Sequence, residues 1–262
     1  MRDAATRVDV LAIGAHPDDV DMICGGTLAQ LAARGKSVAI LDLTRGEMAT
    51  RGTPEGRAQE AQAAAAALGA RKRIILDLGD GRLENNAANR RELIEVIRSL
   101  RPTLVMAHYW DDLHPDHAAA GHLVRAIMYP AGLAKYPAQG DPYRPNEVLF
   151  FMAHTPFEPS FVVDVSDSHE RKMEAIRCFE SQFYRQGSTE PPTGISQPEF
   201  LKTLEARARH FGELIGRRFG EPFIVTRTVP MVDPVDHYAP FPKIYSSKTW
   251  EQQGTANTQP EN

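Results

Sequence analysis

Short runs rich in Val, Ile and Leu alternate with longer segments of helical period along this chain, and that alternation admits few folds. Val8 to Gly14 reads as a first strand, Gly26 to Arg34 as the helix after it, and Ser37 to Leu43 as a second strand. A polar loop, Thr44 to Thr53, leads into an Ala-rich helix that Gly69 closes. Thr53 and Pro54 mark its start, because a hydroxyl can cap free amides and proline suits the first helical position. Arg73 to Leu78 gives a third strand, and Asn89 to Leu100 a helix with Leu93, Ile94, Ile97 and Leu100 on one face. Thr103 to Ala107 follows Pro102 as a fourth strand. Apolar strands that are each followed by a helix predict a single α/β domain, doubly wound, with a mostly parallel Rossmann-like sheet and helices on both faces. Where the winding reverses, strands one and four become neighbours, and the loops after them meet at the carboxyl edge of the sheet.

The second half is less regular. Glu147 to Met152 and Phe161 to Val165 read as strands, and Ser166 to Phe183 as a helix with Met173, Ile176 and Phe183 inward. A further helix is expected over Pro198 to Ile215. The 262 residues fit one such domain over 1–230, followed by an extension over 231–262 that is rich in proline and ends in polar residues. The last dozen residues, Glu251 to Asn262, are expected to be extended or disordered. A net charge of −4, with 30 Lys and Arg residues scattered without runs, excludes a nucleic-acid binder of the ordinary basic kind. The two cysteines, Cys24 and Cys178, form no Cys-x-x-Cys spacing, which fits a reducing, cytoplasmic setting. The apolar run Val8 to Ile13 is too short for a signal-peptide core or a membrane span, so no membrane partner is expected.

Chemistry concentrates in the two loops that should meet. Ala15-His16-Pro17-Asp18-Asp19 follows strand one, and His114-Pro115-Asp116-His117 follows strand four. Divalent zinc accepts imidazole nitrogen and carboxylate oxygen, and a catalytic site commonly uses three protein ligands. His16, Asp18, Asp19, His114 and His117 offer more than that, and spacing alone does not decide among them. A lone histidine is more often a hydrogen-bonded surface or core residue than a ligand, but two His/Asp clusters on adjacent loops favour a metal site. Gly14-Ala15-His16 is not the Gly-x-Gly-x-x-Gly fingerprint of dinucleotide binding, which disfavours a nicotinamide cofactor.

These motifs resemble those of the zinc-dependent N-acetylglucosaminyl deacetylases called the LmbE or PIG-L family. The likeness extends through Asp42 to Glu47, Arg51 to Arg57 and Pro159 to Ser166, and covers roughly Val8 to Phe183. Lys172 to Ile176 and Ser181 to Phe183 look most like the bacillithiol-pathway enzyme acting on N-acetylglucosaminyl-malate. The resemblance implies one Zn2+ per chain held by His16, Asp19 and His117, with Asp18 as general base toward a zinc-activated water. It implies that His114 stabilises the oxyanion and that Asp116 orients His114, and it leaves open whether Asp18 alone moves the protons or His114 also acts as the acid. Arg57 and Asp80 would contact the sugar at the mouth of the site. The implied partner is a small acetylated amino sugar, and relatives of this kind often form homo-oligomers. Phe200 falls where related enzymes carry a tyrosine near the pocket, which would remove a hydroxyl donor. Two other readings remain open: deacetylation of a different acetylated amino sugar or a chito-oligosaccharide, and a metal- or carbohydrate-binding module without chemistry.

Overall fold

A computed structural model of the chain describes residues 7–239. Its seven-stranded sheet has the order β3-β2-β1-β4-β5-β7-β6. Strands β1 (Val10–Gly14), β2 (Val38–Asp42), β3 (Lys72–Ile75), β4 (Leu104–His108) and β5 (Glu147–Phe151) run parallel. β7 (Gly220–Ile224) lies antiparallel between β5 and β6 (Phe161–Asp164). Every residue of β1 and β2 is buried, as both faces of a covered parallel sheet require. Alternate side chains separate into two cores. Leu11 and Ile13 pack with Leu93, Ile94 and Ile97 of α3 (Ala87–Leu100) and with Leu123 and Ile127 of α4 (Pro115–Met128). Val10 and Ala12 pack instead with Val20 and Leu28 of α1 (Asp19–Ala33), Ala61 and Leu68 of α2 (Pro54–Leu68) and Ile176 of α5 (His169–Arg177). The expected doubly wound arrangement is therefore present, and the reversal falls where Ile13 pairs with Leu41 on one side and Ala107 on the other.

The α2 start is as the sequence indicates: Thr53 Oγ1 accepts the Gly56 amide at 3.1 Å, and Gly69 closes the helix at φ 77°. Other boundaries differ for identifiable reasons. α1 starts at Asp19 rather than Gly26 and is broken at Cys24, where φ is −126° and ψ 16°. The amides freed by the break are taken by Glu221 of β7, which accepts Gly26 N at 3.0 Å and Thr27 N at 2.7 Å and also pairs with Lys172 Nζ at 2.7 Å. A side chain almost two hundred residues away thus supplies the cap that local sequence lacks. β7 escapes a sequence reading because Pro222 sits in its middle, where proline argues against a strand. The helix expected over Ser166 to Phe183 is helical only over His169–Arg177, after which turns bring Phe179, Gln182 and Phe183 into the interior. α6 (Phe200–Leu214) leads into β7, and a one-turn α7 (Pro234–Tyr238), capped by Asp233, lies at the start of the proline-rich extension. The rest of the tail, 240–262, lies outside the described residues.

A buried charge cluster ties α1 to the sheet edge. Arg73 of β3 bonds both oxygens of Asp42 (2.7 and 2.9 Å) and both oxygens of Asp21 on α1 (3.1 and 2.9 Å), with all three side chains inaccessible to solvent. Arg73→Met leaves two carboxylates buried without their cation, and the expected cost in urea unfolding is about 3–5 kcal/mol; a loss within error of zero would remove this cluster from the account. His169 stacks on Phe219 with ring centroids 3.7 Å apart, and its Nδ1 has no hydrogen-bond partner. Burial, assisted by the charge of Lys172, pushes its pKa down to about 4 from 6.5. The fold therefore prefers the neutral ring, so this contribution to stability is full above pH 6.5 and is lost progressively as pH falls toward 4. His169→Gln should flatten the stability profile in that window, as read by urea unfolding at several pH values; parallel profiles would contradict it.

Candidate metal centre

Both motif loops leave the same sheet edge, from adjacent β1 and β4. After Gly14 the chain doubles back so tightly that a Cβ there would lie 3.2 Å from the His16 carbonyl and 3.3 Å from the Asp19 Cβ. The turn places Asp18 at φ 117°, a conformation costly for any residue with a Cβ. Two contacts hold it: the His16 amide donates to Asp19 Oδ2 at 2.8 Å, and Arg57 Nη2 donates to Asp18 Oδ2 at 2.7 Å. On the other side His114 is the N-cap of α4, accepting the Asp116 amide on Nδ1 at 3.2 Å, with Pro115 in the first turn. α4 passes close under the end of β4 because Gly121 has no side chain; a Cβ there would sit 2.7 Å from the His108 carbonyl.

The turns bring His16, Asp19 and His117 together, with one donor atom of each within 4.8 Å of the others. All three are buried, at 8, 3 and 4% exposure. Asp19 is the centre of the group. Its Oδ2 lies 3.3 Å from His16 Nδ1, and its Oδ1 lies 3.2 Å from His117 Nε2. Burial opposes its ionisation, but the charges of His117 and His108 outweigh that and hold its pKa well below the usual carboxylate range. The far side of His16 is backed by carboxylates as well: Nε2 is 3.1 Å from Asp80 Oδ1 and 3.2 Å from Asp116 Oδ2. Two imidazoles, a buried carboxylate and further carboxylates behind the rings are the donor chemistry that a zinc-class ion takes, so these residues fit one.

The remaining sequence candidates lie around this group. Asp18 is 2% exposed, and burial pushes its carboxyl up to about 7 against the pull of Arg57. Arg57 is itself buried, bonded to Asp18 and to the Pro17 carbonyl at 2.9 Å, and so supports the turn. Asp80 has both oxygens engaged, one by His16 and the other by the Met48 amide at 2.8 Å. Asp116 differs from expectation. Its carboxylate faces His16 and accepts Gly81 N at 2.7 Å and Leu83 N at 3.2 Å, while only its backbone amide reaches His114. The reason is helical geometry: the first turn of α4 points the Asp116 side chain across to the loop after β3. His114 stands edge-on to His16, with ring centroids 5.0 Å apart, and burial with the charges of His117 and His16 lowers its pKa.

The structure adds three residues that sequence reading passed over. His108, the last residue of β4, is fully buried, stacks on His117 at 4.0 Å, and places Nε2 3.1 Å from Asp19 Oδ2. Alternation along β4 would have put it on the same face as Met106, had the strand been read one residue further. Asp112 and His154 lie beside His117 and form a further potential metal-binding set with it. Nothing local marks Asp112, one of two adjacent aspartates in a polar loop.

Comparison with known proteins agrees with this geometry. Residues 11–128 match the family described as PIG-L, GlcNAc-PI de-N-acetylase. A diacetylchitobiose deacetylase of Thermococcus kodakarensis is 35% identical over 231 residues, 81% of this chain and 80% of that protein. A 4-oxalmesaconate hydratase of Pseudomonas putida is 28% identical over 66% of this chain and 73% of its own length. The solved structure of a conserved protein from Thermus thermophilus superposes with a TM-score of 0.79 at 37% identity, covering 87% of this chain and 98% of that one. Two buried His/Asp turns on one sheet edge, and this extent of similarity, lead to one conclusion: the chain belongs to the PIG-L family of deacetylases.

Proposed function

We propose that this chain releases acetate from an N-acetylglucosaminide, with His16, Asp19 and His117 holding one zinc-class ion. The observation that carries the reading is Asp18: a buried carboxyl, outside the His16–Asp19–His117 set but adjacent to it, with Arg57 on one of its oxygens. A carboxylate with an oxygen to spare beside the ion can accept a proton and return it, which a purely structural ion site does not need. When bound, the ion supplies Lewis acidity and a nucleophile usable at neutral pH. Arg57 occupies Asp18 Oδ2 and leaves Oδ1 to take the proton. His114 accepts a backbone amide on Nδ1, so its neutral ring carries the proton on Nε2 and can donate to the oxyanion as the acetamide carbonyl becomes tetrahedral. Asp80 and Asp116 hold the His16 ring and its tautomer through Nε2. In this reading residues 1–230 form the deacetylase domain, 231–262 an extension, and the substrate is a small acetylated sugar met in the cytoplasm.

The aglycone is open between two classes. The sequence pattern favours N-acetylglucosaminyl-malate, whereas the 35% identical relative is named for diacetylchitobiose. A hydratase among the relatives supports a third outcome, addition of water to a double bond at the same centre. Acetate release from N-acetylglucosaminyl-malate, N-acetylglucosaminyl-inositol and diacetylchitobiose, measured with metal content on the same sample, separates these. Chelation should abolish release and added zinc restore it. Asp18→Ala should keep the metal and lower turnover about a hundredfold or more; near-normal turnover would defeat the assignment of the base. Saturable sugar binding with no acetate formed would defeat the enzyme reading.

A further inference from the structure

The ring of His117 has two nitrogens, and only one faces Asp19. Nδ1 points the other way, has no aligned hydrogen-bond partner, and lies 3.2 Å from Asp112 Oδ1. The Asp112 side chain is inaccessible to solvent, although it lies in the loop between β4 and α4. Its oxygens gather donors from two loops. Oδ1 accepts the His114 amide at 2.9 Å and His154 Nδ1 at 3.0 Å. Oδ2 accepts the amides of His154 at 2.8 Å and Thr155 at 3.3 Å. Three backbone amides and one imidazole thus converge on its two oxygens, which are placed as acceptors.

The segment after β5 that carries His154 is fixed from its other side too, because Arg207 of α6 donates to the carbonyls of Met152 and Ala153. The His154 ring stacks on His117 with centroids 5.1 Å apart, and its side chain is 51% exposed. With Nδ1 turned inward to Asp112, the exposed edge of the ring is the one bearing Nε2.

We propose that Asp112 is the positioning residue of this centre, fixing His117 for the metal and His154 for the substrate. An anion beside both Nδ1 atoms selects the tautomer in which each carries a proton there. His117 is then left with a bare, more basic Nε2 toward Asp19 and the ion, and His154 with a bare Nε2 that can accept a sugar hydroxyl at the rim. Each candidate imidazole ligand thereby has its own carboxylate support: Asp80 and Asp116 behind His16, Asp112 behind His117. The metal-directed half of this proposal rests on the ligand set given above, and its test does not depend on acetate release.

The first readout needs no substitution. In zinc-loaded protein with nitrogen-15 in its histidines, long-range proton–nitrogen spectra should show protonated Nδ1 and proton-free Nε2 at both His117 and His154; a proton-free Nδ1 at His117 overturns the proposal. In Asp112→Asn, competition between folded protein and a chromogenic chelator should show Zn2+ affinity weakened about 10–100-fold. Affinity within about twofold of the parent in a variant with parental circular dichroism and Tm would equally overturn it. His154→Asn isolates the second arm: Zn2+ affinity is expected to hold while KM rises about tenfold with kcat less affected, and an unchanged KM refutes the substrate-facing role. Failure of the substrate panel with the zinc and tautomer results intact would instead count against the deacetylase reading and the substrate-facing role of His154, and leave the metal-directed half standing.

Discussion

A carboxylate buried among imidazoles governs the architecture of this protein. Asp19 sits at the mouth of the sheet with His16, His108 and His117 around it, and removing such a group from water is costly unless cations and donors replace its hydration. The surrounding groups do so in a directional way. The His16 amide pins one oxygen, and the His117 ring faces the other. Because those partners come from loops after β1 and β4, the centre can form only if the strands are neighbours in the observed register.

The scaffold is arranged to keep that carboxylate in place. α1 begins with Asp19 itself, and the break at Cys24 would free its first turns were the two halves not held separately. Arg73 grips the first half through Asp21, and Glu221 caps the second through Gly26 and Thr27. Charge pairs of this kind add little net stability compared with apolar packing, but they fix one geometry, because either partner left alone in the core is heavily penalised. The positive φ of Asp18 fits the same picture: strain at the turn is held by Arg57, which ties backbone and carboxylate together.

Much of this architecture is legible in the chain itself. Parallel strands inside a sheet bury both faces, so β1, β2 and β4 stand out as apolar runs, and Thr53, Pro54 and Gly69 frame α2 by local chemistry alone. The His-Pro-Asp turns are legible because histidine, aspartate and proline are rare together in a loop that merely connects. What stays hidden depends on partners distant in sequence. Glu221 looks like a strand-edge acid until the Cys24 break needs it, and Pro222 disguises its strand. Arg57 looks from its helix position like a solvated arginine, yet it is buried on Asp18. Asp112 and Asp116 are nearly equivalent in sequence, and only the start of α4 decides which carboxylate turns toward His117 and which toward His16.

The claim beneath all of this is that one ion is shared by two turns. Anomalous scattering at the zinc edge, from crystals grown with zinc, locates it without reference to any activity. The account predicts a single strong peak at about 2.0–2.2 Å from one nitrogen each of His16 and His117 and from an oxygen of Asp19, with Asp18 uncoordinated. A peak elsewhere, or one in which Asp18 takes the place of Asp19, would contradict it.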